Sequence, residues 1–165
     1  MNPTKPAKAS IYHRLRRINQ RMVANYRHGT GPRGLVLLLT TTGRKSGQPR
    51  VTPLQFEVVD GVVYTASARG QQADWFRNIL ANPRVCVQIR DHQFEAVAEP
   101  VTDPNRIADF LELRRQRHPL MIRLIMLLEG VSPWANRASL ESFAREKALI
   151  AILPCEPELF SKNKG

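Results

Sequence analysis

The residues best suited to chemistry lie in one short segment between Thr40 and Pro53. Gly43 and Gly47 bracket three polar residues, Arg44, Lys45 and Ser46, and Arg50 follows three positions later. Arginine offers a two-pronged donor to phosphate or carboxylate, lysine a compact positive charge and serine a hydroxyl. Glycines allow the tight turn that such a cluster needs. The segment is not a P-loop, which has four residues between its first glycine and its Gly-Lys pair. It therefore predicts either an anion-binding loop or a solvated basic turn.

Other kinds of catalytic machinery are not indicated by the sequence. We find no arrangement that suggests a Ser-His-Asp triad or a pair of catalytic carboxylates. The four histidines are scattered and no two are four residues apart, and the two cysteines are far from each other. These spacings do not match those of zinc or redox sites. We expect no bound metal.

The positive charge of the chain is concentrated near its start. The first 50 residues hold 11 of the 25 lysines and arginines and no acidic residue. The other 14 basic residues are balanced by all 14 acidic ones, so the net charge of +11 comes from the first 50 residues. Such a field favours an anionic partner, which leaves nucleic acid, an anionic membrane or a phosphorylated cofactor. Few aromatic residues lie among the arginines, so nucleic-acid binding is not expected.

The length of 165 residues suits one domain. We expect a loose tail over 1–9 and a single domain over 10–165 that begins with a basic amphipathic helix over 10–28. This helix either packs one side on the core or lies on an anionic membrane. No apolar run is long enough to cross a bilayer or to serve as a secretory signal, so a cytoplasmic location is expected, with peripheral contact to the inner face of the cell membrane as an open alternative.

Alternating and apolar runs predict about six strands. The hairpin between two of them is centred on Asp60-Gly61, a dipeptide that favours tight hairpin turns. The runs are 35–42, 51–59, 61–68, 84–89, 94–101 and 148–153. Adjacent hairpins, without regular strand–helix alternation, favour an antiparallel barrel.

Helical patterns separate and follow these strands. Thr102-Asp103-Pro104 combines a capping residue with a proline suited to a first turn. The predicted helices cover 71–81, a segment from 104 to about 117, 120–129 and a shorter piece near 138–145. The fold class is therefore α+β, with N-terminal, middle and C-terminal helices packed outside a barrel.

Two ordered blocks resemble the deazaflavin-dependent nitroreductase and quinone reductase family. Thr41 to Pro53 matches its pattern Thr-Thr-Gly-Arg-Lys-(Ser/Thr)-Gly-x-x-Arg-x-x-Pro without a gap. Ala66-Ser67 and Gly70, then Trp75-Phe76-x-Asn78 and Ala81-Asn82-Pro83, resemble a second block. The similarity is good over about 35–101 and looser elsewhere. It implies a split β-barrel that binds coenzyme F-420 and passes a hydride to an acceptor.

The resemblance also implies a set of cofactor-binding residues. The phosphate and oligoglutamate tail would be held by Arg44, Lys45, Ser46, Gly47 and Arg50. The ring and ribityl region would be lined by Pro53, Gln55, Ala66, Ser67 and Arg69, supported by Trp75 and Asn78. Arg69 stands near a lysine of the family, which keeps the charge.

The acceptor side departs from the family. Nitro-activating members use tyrosines near the C-terminal end, whereas this chain has no tyrosine after Tyr64. Trp134 and Phe143 are the expected substitutes. A quinone or another flat, electron-poor acceptor such as a nitro compound is expected, bound by a monomer or a homodimer. Two alternatives stay open: an FMN-dependent oxidoreductase, and a non-enzymatic barrel that binds a fatty acid, haem or another apolar ligand.

Overall fold

Six antiparallel strands close into a barrel with the order β1-β2-β3-β6-β5-β4. The computed structural model describes residues 18, 20–26, 36–67 and 69–156. The strands are β1 Val36–Thr42, β2 Pro49–Val59, β3 Val62–Ser67, β4 Arg84–Ile89, β5 His92–Val101 and β6 Ala148–Pro154. The predicted antiparallel barrel of about six strands is confirmed.

The described residues also form helical turns at 20–26 and four longer helices. One of these lies between β3 and β4, and the other three lie between β5 and β6. The four helices are α1 Asp74–Ala81, α2 Pro104–Arg117, α3 Pro119–Leu128 and α4 Arg137–Ala144. The predicted start of α2 is confirmed, because the Asp103 carboxylate accepts a hydrogen bond of 2.9 Å from the Asn105 backbone N–H. The prediction of one helix over 71–81 was too long at its start, because a 3-10 turn over Gly70–Gln72 precedes α1.

The hairpin between β2 and β3 turns where the sequence predicted. Asp60 and Gly61 both have positive φ, 50° and 80°, as a tight hairpin with a right-handed strand twist requires. Phe56 then pairs with Thr65 and Glu57 with Tyr64. This register decides which residues of the two strands share the outer face of the barrel.

The molecule has one core inside the barrel and another outside it. Side chains alternate along each strand, so Val63 and Ile150 point inward while Tyr64 and Leu149 point outward. The outer core lies between the barrel wall and α2, α3 and α4 and includes Phe110.

Helix α1 covers one end of the barrel. Trp75, Phe76 and Ile79 of α1 belong to the core inside the barrel and are at most 8% exposed. Burying these three side chains closes the barrel end at which β1 and β3 finish. The predicted barrel with helices packed on its outside is therefore confirmed, with α1 across one end of the barrel and α2, α3 and α4 against its wall.

The N-terminal helix packs on the outer face of β1 and β2. Tyr26 is buried against Val36 and Leu38, and Met22 and Val23 pack beside it. Ile18 is 52% exposed. The predicted tail over 1–9 and the rest of the helix predicted over 10–28 lie outside the described residues, and the assignment of 10–165 to one domain stays a prediction. No helix in the described part of the chain is long and apolar enough to cross a membrane.

Candidate functional site

The basic loop, residues 43–48, joins β1 to β2 at the end of the barrel that α1 closes. Its backbone folds onto itself: the Gly47 N–H donates to the Gly43 carbonyl at 2.7 Å, and the Gly43 N–H to the Gln48 carbonyl at 2.8 Å. Gly47 has a φ of 65°, which favours glycine. Because most of the backbone donors of the loop are used in this way, an anion must be gripped mainly by side chains.

Arg44 anchors the basic loop to α1. Its guanidinium donates to the Asp74 carboxylate at 3.0 Å and to the Asn78 side-chain oxygen at 3.1 Å. The Arg44 backbone N–H donates to the same Asn78 oxygen at 3.1 Å. Its side chain is 26% exposed. Arg44 was predicted to hold phosphate, and the structure shows that its donors are largely committed to the protein.

Asn78 joins three elements. It is 4% exposed, accepts the two bonds from Arg44 and donates its amide N–H to the Thr41 hydroxyl at 3.1 Å. Asn78 therefore holds the basic loop to α1 and β1, and its predicted support of the cofactor ring stays a prediction. Asp74, the other anchor, was not singled out from the sequence.

Lys45 and Ser46 of the basic loop and Arg50 at the start of β2 form one exposed surface. Lys45 has no ion pair with any residue the structure describes, and Arg50 makes only a long bond of 3.5 Å to the Ser46 hydroxyl. Two exposed cations and a hydroxyl within six positions suit a phosphate or carboxylate. The cations that are open to an anion are therefore Lys45 and Arg50 rather than Arg44.

Pro53, Gln55 and Ala66 share the outer face of β2 and β3, and we call them the outer strip. Leu54 and Phe56 pack toward the inside of the barrel, so the residues between them point outward. Phe56 pairs with Thr65, so Gln55 and Ala66 flank that pair. From the loop to Gln55, β2 extends by roughly 20 Å. Arg50 thus lies at the start of β2, and the predicted ring-binding residues Pro53 and Gln55 lie farther along the same strand.

Helices α2 and α3 border the outer strip. Gln55 is exposed, yet its amide contacts both helices: its oxygen accepts from Arg114 at 2.7 Å, and its N–H lies 3.6 Å from the Met121 sulfur. The strip is therefore open on one side and walled by helices on the other.

Other predicted residues do not face this strip. The Ser67 side chain points into the barrel end, is 4% exposed and accepts a hydrogen bond from the Arg69 backbone N–H. Trp75 is buried in the barrel core, while Arg69 is exposed on the turn after β3.

The two predicted acceptor-side aromatic residues lie among the outer helices. Phe143 lines an open groove of about 720 Å³ together with Glu146 and Lys147. Trp134 is 75% exposed and lies against Arg123. Phe143 is on α4 and Trp134 lies between α3 and α4, whereas the outer strip is on β2 and β3, so their role in binding an acceptor stays a prediction.

A cluster that the sequence did not reveal lies beside the outer strip. Glu57 is 8% exposed, and its carboxylate faces three basic side chains. The distances are 3.5 Å to Arg114, 3.1 Å to Arg117 and 2.9 Å to His118. Burial lowers the pKa of Arg114, and the Glu57 carboxylate opposes that shift. We call these four residues the Glu57 cluster, which ties α2 and the start of α3 to β2.

A sequence signal for the Glu57 cluster existed but was weak. Glu57 is the one charged residue within the run from Phe56 to Val59, and the end of α2 is rich in arginine. A charge on an otherwise apolar strand needs a partner when it is buried. Only the packing of α2 on β2 identifies that partner.

Asn78→Ala is expected to loosen the basic loop and to lower the free energy of unfolding by about 2 kcal/mol, because a buried amide with three hydrogen bonds is lost. Hydrogen exchange at the Arg44 backbone N–H, read by mass spectrometry, should become faster. Gln72→Ala removes an exposed side-chain amide that accepts a hydrogen bond from Arg77, and it serves as the control. Unchanged protection of Arg44 in Asn78→Ala would contradict the anchoring role.

Comparisons with known proteins identify a family that the chain resembles. A family model described as F-420H(2)-dependent quinone reductase matches residues 11–120. A curated F-420H(2)-dependent quinone reductase of Mycobacterium tuberculosis is 41% identical over 69 residues, which cover 39% of this chain and 46% of the relative. The chain therefore spans about half the length of the curated relatives it matches.

Solved structures share the fold. A conserved hypothetical protein of Mycobacterium tuberculosis superposes with a TM-score of 0.54 at 17% identity, over 81% of this chain and 80% of that one. A structure described as an F-420-H2 dependent reductase gives a TM-score of 0.50 at 21% identity, over 73% of this chain and 96% of that one. At these identities the likeness concerns the fold alone.

Proposed function

The chain belongs to the F-420H(2)-dependent quinone reductase family, and on that premise we propose that it transfers a hydride from reduced coenzyme F-420 to a flat, electron-poor acceptor such as a quinone or a nitro compound. The observation that carries this proposal is the position of the exposed cations Lys45 and Arg50 at one end of the open outer strip. This arrangement suits a cofactor with an anionic tail and a flat reactive ring.

The donor set fits the tail of the cofactor. Lys45 and Arg50 offer positive charge to phosphate and glutamate carboxylates, and the Ser46 hydroxyl adds a neutral donor. Arg44 acts as a positioning residue, since its bonds to Asp74 and Asn78 hold the loop in place. The net charge of +11 adds a long-range attraction for a polyanion.

The outer strip offers a place for the flat part of the cofactor. Pro53 and Ala66 present small apolar surfaces, and Gln55 can donate or accept hydrogen bonds at the ring edge. When bound, reduced F-420 supplies the hydride. The chain then has to hold the acceptor against the ring and keep water out, and α2 and α3 form the wall that does so on one side.

The alternatives predict different observations. A binder of fatty acid or haem would show no F-420-linked turnover, and an FMN enzyme would be yellow as purified. The family match favours neither. Titrating the purified chain with F-420, followed by its fluorescence, tests the proposal directly. No change at micromolar concentrations would overturn it, whereas binding followed by quinone-dependent oxidation of reduced F-420 would support it.

Lys45→Ala is expected to weaken F-420 binding by roughly tenfold to thirtyfold, or about 1.5–2 kcal/mol, because one charge-assisted bond is lost. The midpoint of urea unfolding should stay unchanged, since Lys45 has no ion pair among the described residues. Arg44→Ala should weaken binding and also lower the unfolding midpoint, because it removes the loop anchor. Arg106→Ala, which removes an exposed charge on α2, is the control. Equal affinities in Lys45→Ala and Arg106→Ala would contradict the loop assignment.

Oligomeric state and membrane contact are separate proposals. Both a monomer and a homodimer are compatible with the open outer strip.

Met22, one residue of the predicted membrane-facing stripe of the N-terminal helix, packs against the barrel instead. Peripheral attachment through that helix would therefore depend on Ile18 and on residues outside the described ones.

A further inference from the structure

Helix α3 is apolar on both its inner and its outer side. Ile122 and Met126 are buried against the outer core, as an amphipathic helix requires. The opposite side should then be polar, but it carries four exposed leucines. Their exposed fractions are 82% for Leu120, 59% for Leu124, 59% for Leu127 and 79% for Leu128. Arg123 is the single charged residue between Pro119 and Leu128.

The turn after α3 extends this surface. Trp134 is 75% exposed, and the Arg123 guanidinium carbon lies 5.7 Å from the centre of its ring. Exposed apolar residues are normal when scattered, but a contiguous set marks an interaction surface. We call this set the leucine face: Leu120, Leu124, Leu127, Leu128 and Trp134.

We propose that the leucine face docks on the surface of an anionic lipid bilayer. Leucines on one side of a helix insert below the headgroups, while tryptophan and arginine suit the headgroup layer. The Arg123 guanidinium beside Trp134 places a positive charge at the edge of this face. The net charge of +11, which comes from the first 50 residues, adds a long-range attraction for anionic lipid. A second copy would bring a like charge instead of an opposite one, which disfavours self-association.

Docking would bring the outer strip close to the membrane. Met121, on the same helix, lies with its sulfur 3.6 Å from the Gln55 amide nitrogen. An acceptor dissolved in the bilayer would then reach the strip without crossing bulk water. This consequence rests on the proposed function, whereas the docking itself does not.

Vesicle sedimentation without F-420 tests the docking. We expect the full chain to bind vesicles that mix phosphatidylcholine and phosphatidylglycerol more tightly than vesicles of phosphatidylcholine alone. The triple variant Leu120→Gln/Leu124→Gln/Leu128→Gln should bind at least tenfold more weakly. Because all three side chains are exposed, its unfolding midpoint should stay close to that of the unchanged protein. Unchanged vesicle binding in the triple variant would overturn the proposal.

A matched pair of single variants tests whether any exposed leucine contributes to vesicle binding or only those of the leucine face. Leu124 is 59% exposed on the leucine face, and Leu80 is 60% exposed on α1 at the closed barrel end. Leu124→Gln should weaken vesicle binding measurably, while Leu80→Gln should not. Equal losses in both would overturn the assignment to α3.

Tryptophan fluorescence gives an independent readout. The chain has two tryptophans, and Trp75 is buried at 8% exposure. A blue shift on adding vesicles therefore reports on Trp134 and should disappear in Trp134→Phe. Absence of a shift despite vesicle binding would overturn the proposal. So would a concentration-dependent dimer, seen by analytical ultracentrifugation, that the triple variant abolishes. The F-420 titration is a separate measurement, so either proposal can fail alone.

Discussion

Glu57→Ala is expected to lower the free energy of unfolding by about 3 kcal/mol. Removing one partner of a buried ion pair typically costs about 3–5 kcal/mol, since the remaining charges stay buried without compensation. The lower end of this range applies because the Arg117 side chain is 43% exposed and can regain water. Arg114, with only 11% of its side chain exposed, cannot. Urea unfolding measures the change.

Two further variants sharpen the test of the Glu57 cluster. Glu57→Gln keeps the shape and an acceptor oxygen but loses the charge, so it should destabilise less than Glu57→Ala. Glu99→Ala removes an exposed glutamate from β5 and should change the unfolding free energy by less than about 0.5 kcal/mol. A loss in Glu57→Ala no larger than that of Glu99→Ala would show that the cluster does not hold α2 on β2.

The Glu57 cluster also predicts a functional consequence. Arg114 forms an ion pair with Glu57 and donates a hydrogen bond to Gln55, so loosening the cluster should displace the helical wall of the outer strip. Because this wall is proposed to hold the acceptor against the cofactor ring, Glu57→Gln should raise the KM for a quinone more than it changes the affinity for F-420. The basic loop lies at the far end of β2 and should be unaffected.

Gly70→Ala is expected to lower the free energy of unfolding by about 3 kcal/mol as well. Gly70 has a φ of 55°, where a side chain costs about 1–2 kcal/mol. A Cβ atom there would also lie 2.1 Å from the Glu146 carbonyl oxygen, so the backbone turn before β6 must move. Overpacking of this kind adds about 1–3 kcal/mol.

Gly130→Ala separates the two contributions. Gly130 has a similar positive φ of 76°, but a Cβ atom there would meet nothing within 4 Å. Gly130→Ala should therefore lower the free energy of unfolding only by the cost of a side chain at positive φ, about 1–2 kcal/mol. Urea midpoints of the two variants give the difference. Equal losses would mean that the close approach of Gly70 to Glu146 contributes nothing.

Local patterns were sufficient for most of the secondary structure. The pair Asp60-Gly61 determines a hairpin turn because only certain residues adopt two positive φ values in succession. The segment Thr102-Asp103-Pro104 predicts the start of α2 by itself, because it combines a capping residue with a proline suited to a first turn. The basic loop was likewise recognisable, since its glycines and cations are adjacent in the chain. Alternation along the strands showed which residues share a face, and adjacent hairpins indicated an antiparallel barrel.

Residues far apart in the chain decided the rest. The direction of the Arg44 side chain depends on Asp74 and Asn78, 30 and 34 positions away. The placement of α1 in the barrel end depends on the space that six strands leave open, which no local pattern describes. The sequence did not identify Arg114 as the partner of Glu57, because the two meet only when α2 packs on β2. The sequence by itself thus determined the elements, their faces and the family, because these follow from neighbouring residues. Only the tertiary structure decided which cations remain available for an anion, since that depends on which charges the fold pairs with one another.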